Sequence, residues 1–152
     1  MRLAPTRGGE STIPAMAKPP VVADLVWTEA LRFDATSARI TTVVDGDSNA
    51  GPSPVQMLVL GLAGCMSADV VDIVRKGRHA LTGFSAHIVA ERAQTPPARV
   101  VRAELHFHVR GDVPSAALER AIALSRDKYC SVWHSLREDI ELTTSFDVAP
   151  SA

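Results

Sequence analysis

Between Gly51 and Gly77 the chain reads GPSPVQMLVLGLAGCMSADVVDIVRKG, a segment that carries its own start and its own stop. Ser53 is placed to cap a helix, Pro54 suits the first helical position, and Gln56, three residues after the serine, completes a capping box. At the other end Arg75 and Lys76 fall in the last turn, where cations suit the negative end of the helix dipole. Gly77 is expected to take the left-handed conformation that ends the helix. Between these stops VQMLVLGLAGCM is apolar on nearly every side apart from Gln56, and a helix apolar all round must be buried all round. Such a rod runs roughly 33 Å, about the diameter of a small domain. A chain of 152 residues cannot easily surround it, so the segment predicts a dimer sharing one core. Gly61 and Gly64 cost helix propensity of roughly 1 kcal/mol each, and their expected use is the close approach of another helix.

Composition narrows the class. A hydrophobic content of 46% and a charged content of 22% are those of an ordinary globular protein with one domain and a real core. A net charge of -1 gives no reason to expect nucleic acid or an acidic membrane surface. The longest apolar run is about a dozen residues, short of the ~20 a membrane span needs, and the N-terminus lacks the apolar region of a secretory signal. The expected location is the cytoplasm. Two cysteines in a reducing compartment are too few for a disulfide scaffold, so each is expected to be buried or chemically active.

Residues 1–19 are rich in Pro, Gly and small polar residues without periodicity and read as a flexible tail, with Met16 an alternative start; the domain is expected over 20–149. Val21 to Trp27, Leu31 to Thr36 and Arg39 to Val44 read as three short strands. After the long helix, Leu81 to Ala93 carries Phe84, Ala86, Ile88 and Ala90 on one face, and a turn follows at Thr95-Pro96-Pro97. Val101, Ala103, Leu105, Phe107 and Val109 then alternate with Arg102, Glu104, His106, His108 and Arg110, which predicts a half-buried antiparallel hairpin. Asp112 to Tyr129 reads as a second helix, Ser131 as the cap of a short third one to about Arg137, and Ile140 to Val148 as a last strand. The order βββ-α-ββ-α-α-β is an α+β layout, a helix pair packed on antiparallel sheet.

Cys65 lies on one helical stripe with Asp69, Asp72 and Lys76, where the helix turns from apolar to partly polar. Being mid-helix, it gains little from the macrodipole, and burial and Asp69 each favour its neutral thiol, so a reactive Cys65 needs a cation from elsewhere in the fold. The alternative is a small buried hydrophobe. Cys130 follows the second helix and faces the start of the third, with Arg126, Lys128 and His134 nearby. Taken alone, it reads as the thiol of lower pKa.

GPSPVQMLVLGLAGCMSADVVDIVRK followed by LSRDKYCSVWHSLREDIELTTSF resembles the two signature segments of the OsmC/Ohr family, the osmotically inducible protein C and organic hydroperoxide resistance proteins. The first is a proline-initiated central helix with a cysteine eleven residues on; the second is a helix end with the partner cysteine. With the matching strand order, the resemblance spans about residues 20–149. It implies an intertwined homodimer, two central helices wrapped by sheet, with an active site at each subunit interface. It also implies a thiol-dependent peroxidase that reduces organic hydroperoxides, Cys65 being the peroxidatic cysteine and Cys130 the resolving one, with a dithiol reductant reopening the disulfide. Arg32, in the early strand LRF, occupies the region of the family's catalytic arginine. One departure is plain. The hydroperoxide-resistance branch has a glutamate after the helix-opening proline, and many OsmC-like relatives have it one place later, where this chain has Val55 and Gln56. The arginine-orienting ion pair is therefore missing or replaced, and Gln56 also reads simply as a capping residue. That motivates an alternative, a protein of the same fold binding a small apolar ligand at the dimer interface with little or no peroxidase activity.

Other patterns carry less. His106 and His108 share a strand face, but no third ligand at a recognisable spacing accompanies them, so they read as solvated histidines and neither metal nor cofactor is expected. Cys130 with His134 reads as coincidence more than as a nucleophile–base pair, and Trp27 and Trp133 as packing residues.

Overall fold

A computed structural model describes residues 18–151, so residues 1–17 of the expected tail lie outside the described residues. Strands β1 (Ala23–Glu29), β2 (Arg32–Ser37) and β3 (Ile40–Asp45) form an antiparallel meander in sequence order, each within two residues of its predicted place at either end. Its turns put Ala30 and Ala38 at positive φ, 44° and 53°, where the sequence offered no glycine.

Helix α1 spans Pro54–Lys76. Its start is the predicted capping box: Gln56 N–H donates to Ser53 Oγ at 3.3 Å, and Ser53 N–H donates to Gln56 Oε1 at 2.8 Å. Its end differs from expectation. Gly77 is right-handed at φ −69°, and the left-handed residue is Arg78 at φ 62°. The glycine answers crowding instead, because a methyl group there would sit 2.9 Å from the His79 ring.

Strands β4 (Ala80–Arg92) and β5 (Val100–Asp112) make the predicted antiparallel hairpin, and β6 (Glu141–Ala149) lies beside β5. The β5–β6 pairing is parallel, so the sheet is not antiparallel throughout. Parallel neighbours require a crossover, and α2 (Ser115–Leu124) supplies it, continued by a π-turn over Ser125–Tyr129. The predicted third helix is a single 3₁₀ turn, Trp133–Ser135, which Ser131 does not cap.

The core is where two periodicities meet. Leu62, Met66, Val70 and Val74 recur every fourth residue on α1, and Ala103, Leu105, Phe107 and Val109 recur every second residue on β5. Leu118, Ala121 and Ile122 of α2 close the cluster. The rest of α1 is uncovered within the chain: Met57, Leu58 and Leu60 are exposed, and a methyl on Gly61 or Gly64 would meet no atom within 4 Å. By length and hydropathy, 1.9 over its most apolar 18 residues, α1 even passes for a membrane span, contrary to the sequence expectation. Its stripe in the core and its Asp69 and Asp72 mark it as the central helix of a packed domain. The β1–β3 meander also leaves Leu25, Val26, Trp27, Leu31 and Ile40 exposed, and its main packing is within itself.

Met66 is fully buried, so Met66→Ala is expected to lower unfolding free energy by about 2–5 kcal/mol in urea titrations.

Candidate functional site

Packing of α1 against α2 and the π-turn brings Cys65 and Cys130 together. Their sulfurs and the Asp69 carboxylate lie within 4.8 Å of one another, and both cysteines are free. Asp69 follows Cys65 by one helical turn, which aims both side chains at the same neighbour. Ser125, buried at the start of the π-turn, donates its hydroxyl to Asp69 Oδ2 at 2.8 Å. Trp133 N–H donates to Cys130 Sγ at 3.4 Å. The sequence placed Ser125 on the inner stripe of the second helix and Trp133 among the packing residues, and neither carries a motif that would assign it to the site.

The two thiols have unequal surroundings. Cys65 is half-buried and Cys130 fully buried. Burial, then the hydrogen bond to Cys65, push the Cys130 thiol up to about 11, with the Trp133 N–H pulling weakly the other way and Asp69 adding to the rise. The rise runs against the expectation that the setting of Cys130 lowers its pKa. The cations counted in its favour are occupied elsewhere: Arg126 Nε donates to Asp127 at 2.9 Å, and the Lys128 ammonium lies 5.3 Å from the Tyr129 ring. The helix expected to face it is one 3₁₀ turn, too short to offer a dipole. His134 meets Cys130 through the backbone, its N–H donating to Cys130 O at 3.1 Å. Two thiolates and a carboxylate could hold a thiophilic cation, but the proton retained on Cys130 opposes it.

Arg32 is paired with carboxylates of its own sheet. Its Nη1 donates to Glu29 Oε1 at 2.7 Å, and its Nε lies 3.7 Å from Asp45 Oδ2. Strand register makes both pairings, because Arg32 stands opposite Glu29 on β1 and Asp45 on β3. The Nε is buried without a hydrogen-bond partner. Asp45 is itself buried and accepts N–H groups from Ala50, Asp47 and Asn49, which, Ala50 foremost, hold its carboxyl below the usual range. The Gln56 Oε1, for its part, accepts from both Ser53 N–H and Ser48 Oγ. An arginine with two carboxylates is thus present, although neither carboxylate comes from α1.

The OsmC-like protein family model matches residues 45–145. Protein YhfA of Escherichia coli (strain K12) is 37% identical over 125 residues, covering 80% of this chain and 93% of that one. Among solved structures, a protein from Aquifex aeolicus VF5 superposes with a TM-score of 0.82 at 22% identity, over 89% of this chain and 100% of that one. The organic hydroperoxide resistance protein OsmC from Legionella pneumophila gives 0.66 at 16% identity, over 88% and 100%. Both of these likenesses speak to the fold.

Because the raised pKa leaves Cys130 protonated at neutral pH, iodoacetamide at pH 7.5 is expected to label Cys65 first, read by peptide mass spectrometry. In Cys65→Ser the dominant cause, burial, persists, so Cys130 labelling is expected to stay slow at pH 8 and climb as pH moves from 9 toward 11. In the same window the folded state keeps a proton that the unfolded chain has lost, so stability falls as pH rises.

Proposed function

This chain belongs to the OsmC-like protein family, and on that premise we propose that it is a thiol-dependent peroxidase acting on organic hydroperoxides. The observation that carries the reading is a pair of free thiols within 4.8 Å of each other, one half-buried and one fully buried. The half-buried member can meet a peroxide; the buried, protonated member cannot compete as first nucleophile. Cys65 thiolate attacks the outer oxygen of ROOH. A sulfur–oxygen bond forms, the O–O bond breaks, and ROH leaves with a proton, giving Cys65 sulfenic acid. Cys130 then attacks Cys65 Sγ, the S–O bond breaks, and water departs, leaving the disulfide. Asp69, steadied by Ser125 and within 4.8 Å of both sulfurs, is assigned the relay of the Cys130 proton to the departing hydroxide, which leaves as that water. A dithiol reductant reopens the disulfide by two exchanges, in the reducing cytoplasm that keeps the pair ready.

Arg32 is assigned the stabilisation of the Cys65 thiolate, reached across a homodimer interface. The uncovered apolar residues of α1 and of the β1–β3 meander support a second copy there, since exposed patches of this kind mark interaction surfaces. Glu29 and Asp45 take over the arginine-orienting task that Val55 and Gln56 cannot perform. The solved relative from Legionella pneumophila carries organic hydroperoxide resistance in its name, which agrees with the substrate class.

A second reading has its own observation. An open groove of about 900 Å³ beside the start of α1, lined in part by Val55, Val59, Leu60 and Ile88, could hold a small apolar ligand instead. A small molecule retained in native mass spectrometry, with cysteines inert to peroxide, would favour it.

Consumption of cumene hydroperoxide with dithiothreitol is the direct test. Cys65→Ser is expected to fall to background, and Cys130→Ser to complete one turnover and then accumulate a sulfenic acid trapped by dimedone. Arg32→Ala is expected to slow the first step by about 10²-fold, with the protein sedimenting as a dimer. Turnover undiminished in Cys65→Ser would falsify the reading.

A further inference from the structure

The outward face of the β4-β5-β6 sheet carries a second cluster, which the thiol chemistry leaves unused. His106 and His108 are two residues apart on β5 and share its wet face. Strand β6, parallel beside it, sets Ser145 opposite His106 and Asp147 opposite His108. His106 Nε2 and His108 Nδ1 converge on the same oxygen, Asp147 Oδ1, at 2.7 and 2.6 Å. The other nitrogen of His106, Nδ1, lies 2.7 Å from Ser145 Oγ, which holds the ring with Nε2 turned to the carboxylate. All three ligand atoms fall within 4.8 Å of one another. The side chains stay accessible, 33% exposed for His106 and 53% for His108 and for Asp147. A groove of about 470 Å³ opens beside them, with Ser85, His108, Arg110 and Asp147 in its wall.

From this convergence we infer that His106, His108 and Asp147 form a binding site for a single first-row divalent cation of the Zn2+ type. Two imidazole nitrogens and a carboxylate suit such ions, whereas Mg2+ and Ca2+ prefer an all-oxygen shell. Tetrahedral bonds of roughly 2.0–2.1 Å keep ligand atoms about 3.3 Å apart, so the present contacts need widen by only about 0.6 Å. The groove beside His108 and Asp147, with Arg110 in its wall, leaves room for water or a small anion to complete the shell. Ser145 acts as the partner that orients a ligating histidine through its second nitrogen. The core side of the same strand, Leu105, Phe107 and Val109, is buried and apolar, so the site belongs to the outer surface and not to the thiol pair.

Calorimetric titration of the full chain with Zn2+ tests this, with Co2+ absorption as an independent readout. The expected result is one Zn2+ per chain and Co2+ bands without sulfur-to-cobalt charge transfer. Binding should weaken at least tenfold in each of His106→Ala, His108→Ala and Asp147→Asn, and about tenfold in Ser145→Ala. These side chains are partly or fully exposed, and unchanged circular dichroism shows the fold retained. No measurable Zn2+ binding at micromolar protein, or binding that these substitutions leave untouched, overturns the proposal. A sulfur-to-cobalt band as the sole signal does so too. Peroxide turnover enters none of these outcomes.

Discussion

Everything in this molecule is referred to the contact between one stripe of α1 and one face of β5. Side chains recurring every fourth residue on the helix and every second residue on the strand share one buried cluster. That contact sets which way the remaining faces of both elements must point. On the helix, it turns Cys65 and Asp69 toward α2 and leaves Met57, Leu58 and Leu60 bare. On the strand, it sends the histidines outward.

The asymmetry between the thiols follows from the same packing. Cys130 belongs to the buried cluster, where a charged sulfur loses its hydration, so its proton is held to high pH. Cys65 sits at the edge of that cluster and keeps partial contact with solvent. One environment suits a sulfur that must meet a reactant from outside; the other suits a sulfur that waits for its neighbour. The charge sequence around Cys130, with Arg126, Lys128 and His134, pointed the opposite way because proximity along the chain ignores where those side chains find partners.

Legibility in the sequence tracked how local each determinant is. The limits of α1 were readable because a capping box is written in four consecutive residues, and β5 was readable because alternation is its own signature. Strand direction is not encoded within a strand, so the parallel placement of β6 was invisible, although the long passage through α2 was compatible with a crossover. The carboxylates around Arg32 come from two flanking strands by register, and the third member of the histidine cluster stands 39 residues beyond His108. Meetings of that kind are products of the fold. The π-turn was missed for another reason: SRDKY is ordinary helical composition, and only the hydrogen-bond ladder tells the two apart.

That wide turn has a consequence for how such chains can diverge. A π-turn is an α-helical turn with one residue inserted. Deleting a single residue from 125–129 would let the backbone close to ordinary helix and rotate all that follows by about 100°. Leu118, Ala121 and Ile122 lie upstream and would keep their seats, and the fold survives where the segment between the turn and β6 absorbs the rotation. Cys130 would swing off the face it shares with Cys65. Whether this scaffold can cycle electrons between two sulfurs is therefore decided by chain length at one point, and a shortened descendant could keep the whole architecture while falling chemically silent.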